Sequence, residues 1–197
     1  DKTQPFLLYL AFTSPHDPRM APERFAGLYP PERIALPPNF MPQHPFDNGE
    51  LFVRDELLAA FPRTPEAIRR HIAAYYAMIS EVDHQIGRVL DALERSGEAA
   101  RTYVIFAGDN GLAVGRHGLL GKQNLYDHSI RVPLVIAGPG IPKGRRAESL
   151  CQLMDLCPTI CDLAGIPAPS GIEARSLKPA LDDPRHRAGV RHARSER

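Results

Sequence analysis

Seven consecutive apolar residues, Phe6-Leu7-Leu8-Tyr9-Leu10-Ala11-Phe12, form the first patterned feature of the chain. An apolar run of that length without alternation predicts a strand buried on both faces. It stops at Thr13-Ser14-Pro15-His16-Asp17-Pro18, a turn-forming cluster that predicts a loop. From there to Phe61 no hydrophobic period is visible, and ten prolines between Pro15 and Pro62 exclude long helices. A loop of this length in a compact domain is usually functional, and substrate-binding loops fit.

Thr64-Pro65-Glu66 predicts a helix start: a capping hydroxyl, a proline at the first helical position, then an acid. Ile68, Ile72, Tyr75, Ile79, Val82, Ile86, Val89 and Leu93 follow at steps of three and four and make one apolar stripe, which Ser96-Gly97 ends. Tyr103–Ala107 predicts a second buried strand and Leu134–Ala137 a third, each closed by glycine-containing turns. Leu153 to Ala164 reads as a helix stopped by Gly165, and Ser176 to Leu181 as a short one. Strand, long helix, strand, strand, helix predicts an α/β fold, a mostly parallel sheet flanked by helices. In such sheets ligands sit beyond the carboxyl ends of the strands, and the polar clusters at His16 and Asp109 both follow a strand directly.

Composition changes this picture little. The 197 residues are 43% hydrophobic and 24% charged, ordinary for a globular domain. A net charge of +1 gives no reason to expect nucleic acid or an acidic membrane surface as partner. No apolar stretch approaches the ~18–20 residues of a membrane helix, and no signal peptide is visible. The opening Asp1-Lys2-Thr3-Gln4-Pro5 lacks a starting Met, and residues 182–197 form a basic polar tail or the start of a truncated region. Both features lead us to expect a piece of a longer protein, with one partial catalytic domain over residues 1–181. Cys151, Cys157 and Cys161 are odd in number and fit no common zinc spacing. The last two lie four apart on a predicted helix and are expected as small core residues.

Three groups of residues could carry chemistry. Asp109-Asn110 offers a carboxylate and an amide oxygen at a strand end, donors that suit calcium or magnesium, although Asp-Asn-Gly is also an ordinary turn. Gly115-Arg116-His117-Gly118-Leu119-Leu120-Gly121-Lys122 combines glycines that admit close approach with His117 and Lys122 as donors; a solvated loop lysine is the plainer reading. His16 sits between two prolines that narrow its range of positions, though a lone loop histidine is often incidental. Asp17 and Arg19 are near enough to pair with each other at the surface and are given no role.

The order of these groups is more telling than any one of them. Ser14-Pro15-His16-Asp17-Pro18, Gly108-Asp109-Asn110-Gly111, His117-Gly118, Gly121-Lys122 and Tyr126-Asp127-His128-Ser129-Ile130-Arg131-Val132-Pro133-Leu134 together resemble the second half of the sulfatase family. The stretch Asp155 to Ile166 is similar to that family's helix after the sheet, and the resemblance runs from about Phe6 to Leu181. It implies an alkaline-phosphatase-like α/β fold whose N-terminal part is missing here, and cleavage of sulfate esters. It also implies a formylglycine nucleophile, made from cysteine or serine, and a calcium ion (magnesium the alternative). By the same resemblance Asp109 and Asn110 would be metal ligands, and Lys122 and His16 would contact the sulfate. His16 would also help to protonate the leaving oxygen, His117 would lie near the site, and Asp127 and Arg131 would hold their loop.

The chain departs from the family in one respect. The Cys-x-Pro-x-Arg or Ser-x-Pro-x-Arg motif of the nucleophile is absent, as is the first pair of metal-binding aspartates, and Cys157-Pro158-Thr159 is no substitute. The fragment alone is therefore expected to be inactive. A phosphate or phosphonate ester hydrolase of the same superfold is the alternative activity, although relatives working on phosphorus more often carry histidine where Asn110 stands. A non-catalytic domain that binds sulfated glycans is the alternative of another class. The expected partner is a sulfated small molecule or glycan. Specificity would reside in residues 20–61, with Tyr29, Phe40, His44, Phe46 and Arg54 the side chains to inspect.

Overall fold

The computed structural model of the protein describes residues 4–183, so most of the basic tail expected at 182–197 lies outside the described residues. The described residues form two compact units, residues 4–93 with 110–131, and residues 94–109 with 132–183.

In the first unit the proline-rich segment contains only one turn of α-helix, α1 (Glu23–Ala26), and short 3-10 turns. The long helix α2 (Pro65–Ser96) follows as its start signals predict. Thr64 Oγ1 accepts the Ala67 N–H at 3.2 Å, capping the first turn, and Pro65 occupies the position where a missing N–H costs nothing. Burial along α2 is confined to its first half: Ile68, Ile72, Ala73, Ala77 and Met78 are buried, whereas Ile79 and Val89 are exposed. Ile68 and Ile72 join Val114 and Leu120 in one core cluster, with Leu36, Phe40 and Leu58 packed around it. A smaller cluster of Leu51, Ala113 and Leu119 lies under Tyr126. The one-turn helix α3 (Asp127–Ile130) closes this unit.

The second unit contains the two strands found among the described residues. β1 (Val104–Ala107) pairs with β2 (Leu134–Ala137) antiparallel, in the register Val104↔Ala137 to Ala107↔Leu134. This differs from the parallel, doubly buried sheet expected above. The chain leaves β1 at Gly108 and re-enters beside it, where the Gly108 N–H meets the Pro133 carbonyl at 3.2 Å. With no crossover to carry it back to the start of β1, the second strand can only run the other way. Phe106 and Val135 are exposed, so neither strand is buried on both faces. Helix α4 (Leu156–Ala164) ends at Gly165 in the left-handed region (φ 69°), as anticipated, and α5 (Lys178–Asp182) packs on it. Buried Thr159 ties the two: its hydroxyl donates to the Asp155 carbonyl and accepts the Leu177 N–H at 2.8 Å.

Two further expectations are corrected. Phe6–Phe12 is not a strand, and Leu7 and Tyr9 are more than four-fifths exposed. An apolar run becomes a strand only when a neighbour pairs its backbone groups, and among the described residues none does so. Cys157 is exposed and Cys161 half-buried, because the face that α4 buries is that of Pro158 and Thr159. No helix among the described residues is long and apolar enough to cross a membrane.

Candidate functional site

Within the first unit, His16 and Lys122 lie at the two ends of one polar network. His16 Nδ1 is 3.0 Å from the Asp17 carbonyl oxygen and 3.3 Å from Asp17 Oδ1. With Nδ1 as the donor, Nε2 is the nitrogen left for other chemistry. Arg54 grips the same carboxylate with both terminal nitrogens, Nη1 to Oδ2 at 2.5 Å and Nη2 to Oδ1 at 3.3 Å. Its Nη2 also donates to Asp55 Oδ1 at 2.8 Å. Asp55 Oδ2 in turn accepts from Gln123 Nε2 at 3.0 Å and lies 4.0 Å from Lys122 Nζ. The pairing of Asp17 with Arg19 expected from their spacing does not form. Arg54 takes the carboxylate, while Arg19 Nη1 donates to His71 Nδ1 at 2.7 Å.

The electrostatics of the network follow from burial and neighbours. Burial pushes the Asp55 carboxyl up, but Gln123, Lys122 and Arg54 outweigh it and hold it below its ordinary range. Asp17 raises the exposed Arg54 guanidinium. His71 is lowered by burial, then by Arg19, Arg63 and Arg70, a direction that suits a ring nitrogen accepting from Arg19. Asp17, Arg19, Arg70 and His71 border an open recess of about 350 Å³ floored by Leu58, Ala67 and Ala74.

The loop that presents Lys122 is built on a buried acid. Glu56 accepts the Leu120 N–H at 2.8 Å, the Gly121 N–H at 2.7 Å and Arg63 Nη2 at 2.7 Å. The loop doubles back through bonds from Ala113, Val114 and Gly115 to Gly121, Leu120 and Leu119. Gly118 stands at its tip with φ 75°, so close to the Gln43–His44 backbone that a Cβ would lie 2.4 Å from it.

His117 is held as a packed side chain. Asn39 Nδ2 is 2.9 Å from its Nε2, its ring stacks on Tyr126 at 4.2 Å, and its backbone bonds to Asn39 and His44. His128 lies against both rings, 5.5 Å from Tyr126 and 5.9 Å from His117, and burial, then Arg116 and His117, lower its pKa to about 4. Of the loop residues marked for inspection, Tyr29 bonds Ser80, Phe40 packs on the core and His44 is buried; Phe46 and Arg54 remain exposed.

Asp109 and Asn110 directly follow β1, Asp109 exposed and Asn110 half-buried. Asn110 Nδ2 donates to the Gly111 carbonyl at 2.9 Å, which commits the nitrogen end of its amide. A carboxylate and an amide oxygen are the right kind of donor for calcium or magnesium, but calcium takes about 6–8 oxygens. Among the described residues no group of three or more His, Cys, Asp or Glu gathers as a metal site. The pair therefore fits part of such a site and cannot be the whole.

Sequence reasoning missed Asp55, Glu56, Arg63 and Gln123 altogether. The available signal was the run Arg54-Asp55-Glu56, three charges in a row between apolar neighbours, two of them now found buried.

The family model described as Sulfatase matches residues 1–166. A sulfatase of Formosa agariphila is 35% identical over 179 residues, covering 88% of this chain and 35% of that protein. The choline-sulfatase of Rhizobium meliloti is 37% identical over 172 residues, covering 84% and 33%. Among solved structures, a phosphonate monoester hydrolase of Silicibacter pomeroyi superposes with a TM-score of 0.73 at 32% identity, over 85% of this chain and 35% of its own. The chain thus spans about a third of the length of the curated relatives it matches. The match over residues 1–166 and the shared alkaline-phosphatase-like fold make this chain a member of the sulfatase family.

Proposed function

We propose that the protein carrying this chain hydrolyses a sulfate monoester of a small molecule or glycan, with a divalent cation, calcium or magnesium, as cofactor. The observation that supports the reading best is the network joining His16 to Lys122, two residues remote in sequence that both suit an anionic ester. Lys122 supplies a positive charge for a sulfate oxygen, stronger in effect where water is excluded. His16, as an imidazolium, keeps Nδ1–H on Asp17 and can give the Nε2 proton to the leaving oxygen. His117, packed against Tyr126, would line the site near these two. Asp109 and Asn110 would hold the cation, with the remaining ligands drawn from outside the described residues. The cation, when bound, neutralises charge on the sulfate and on the nucleophile. The nucleophile is expected to be a formylglycine outside this chain, so the 197 residues alone should not turn over substrate.

A second reading has an observation of its own. The likeness to a phosphonate monoester hydrolase at 32% identity favours a phosphonate or phosphate ester as substrate. Asn110, in place of the histidine more usual in relatives acting on phosphorus, favours sulfate. The test is an assay of the full-length protein against 4-nitrophenyl sulfate, choline sulfate and a phosphonate monoester, with calcium and after chelation. Sulfate-ester turnover that chelation abolishes supports the proposal. Preference for the phosphonate by kcat/KM selects the second reading, and turnover by the isolated 197 residues would refute the outside nucleophile.

A further inference from the structure

Asp55 is a buried carboxylate whose side-chain partners, Arg54, Gln123 and Lys122, all belong to the candidate site. Its side chain is 7% exposed, so its charge must be compensated where it sits. One oxygen accepts from Arg54, which also holds Asp17 beside His16. The other accepts from Gln123 and faces the Lys122 ammonium. At 4.0 Å that last contact is a loose pair, so charge attraction alone would not fix Lys122. The tighter constraint runs through Gln123, whose Oε1 accepts the Lys122 backbone N–H at 3.0 Å while its Nε2 is held by Asp55. Glu56, the next residue, fixes Leu120 and Gly121 from the same side. We propose that Asp55 is a positioning residue: acting through Gln123 it fixes the direction of Lys122, and through Arg54 it fixes Asp17 and so His16.

The proposal rests on the roles given to Lys122 and His16 above, but its geometry can be tested without them. In the full-length protein, Asp55→Asn removes the charge, Gln123→Glu sets two carboxylates against each other, and the double variant restores an amide–carboxylate pair with its polarity reversed. Misplacing a group by about 1 Å can cost roughly 100-fold, so each single variant should lose about 10- to 100-fold in kcat on 4-nitrophenyl sulfate, with KM little changed. The double variant should recover much of the loss. Independently of turnover, acylation of Lys122 by an amine reagent, read by mass spectrometry, should quicken several-fold (~3- to 10-fold) in Asp55→Asn while exposed Lys143 is unchanged. A purely structural role would lower thermal stability in both single variants yet leave the Lys122-to-Lys143 labelling ratio untouched. An unaltered ratio overturns the positioning role. An altered ratio in a protein inactive on sulfate esters would uphold it and refute only the substrate reading.

Discussion

Glu56 and Arg63 form an ion pair at 2.7 Å in which the Arg63 side chain is fully buried and that of Glu56 nearly so. The guanidinium is lowered by its burial, which Glu56 opposes, and a pair taken out of water in this way depends on the hydrogen bonds of its surroundings. Those surroundings are the Leu120 and Gly121 N–H groups on Glu56, the Ala59 carbonyl on Arg63, and the Phe61 ring against the guanidinium at 3.8 Å.

Removing one partner from such a pair leaves an uncompensated charge in the interior. Glu56→Ala should therefore cost about 3–5 kcal/mol, and Glu56→Gln distinctly less because its amide oxygen still accepts the two backbone N–H groups. Urea unfolding of the full-length protein measures both. Equal loss in the two variants would mean that charge, and not hydrogen bonding of the loop, is what Glu56 supplies.

His128 makes stability depend on pH in a defined window. Its folded pKa of about 4 lies below the ordinary 6.5, so between those values the unfolded chain binds the proton that the folded one refuses. Above 6.5 both states are neutral and the residue contributes nothing to the slope. As pH falls from 6.5 to 4 stability should decline by about 1–2 kcal/mol, a figure discounted because the ring is only half-buried. The drop in melting temperature between pH 7 and pH 4.5 should shrink in His128→Gln, and a His128 ring titrating near 6.5 by NMR would rule the effect out.

How much of this could be read from the chain depends on whether the determinant is local. Helix α2 was legible because Thr64, Pro65 and Gly97 sit within a turn of its ends and the Ile68–Ile72 spacing repeats at helical period. Its burial was less so: Ala73 and Ala77 are buried while Ile79 is not, and alanine carries little weight in an apolar pattern. The segments of β1 and β2 were legible, but their direction is set by where the chain re-enters after Pro133, which composition does not encode. His16 and Lys122 were singled out through motif order. The acids that connect them were not, because Asp17–Arg54 and Asp55–Gln123 join residues far apart in sequence, and only tertiary folding sets such pairs.

Two glycines with similar backbone angles separate strain from collision. Gly118 and Gly144 have φ of 75° and 66°, but a Cβ at Gly118 would meet the Gln43–His44 backbone while at Gly144 it meets nothing within 4 Å. Gly144→Ala should cost only the left-handed penalty, about 1–2 kcal/mol. Gly118→Ala should cost roughly 1–3 kcal/mol more, since backbone cannot rotate aside, and it should displace the loop carrying Lys122. Thermal melts of the two variants give the difference directly.

Under the proposed sulfate-ester reading, His16 and Lys122 can be told apart by the leaving group. A lysine on a sulfate oxygen stabilises charge whatever alcohol departs, so Lys122→Ala should lower kcat/KM by roughly 100- to 1000-fold on every ester, about 2.7–4 kcal/mol. A proton donor matters in proportion to how poorly the alcohol leaves as an anion. His16→Asn should therefore be mild on 4-nitrophenyl sulfate and severe on an alkyl or sugar sulfate, where an unassisted alkoxide would have to depart. A plot of log kcat/KM against leaving-group pKa should be steeper in His16→Asn and merely displaced in Lys122→Ala. Parallel lines for both variants would remove the acid role from His16 and leave it only the sulfate-binding role proposed for Lys122.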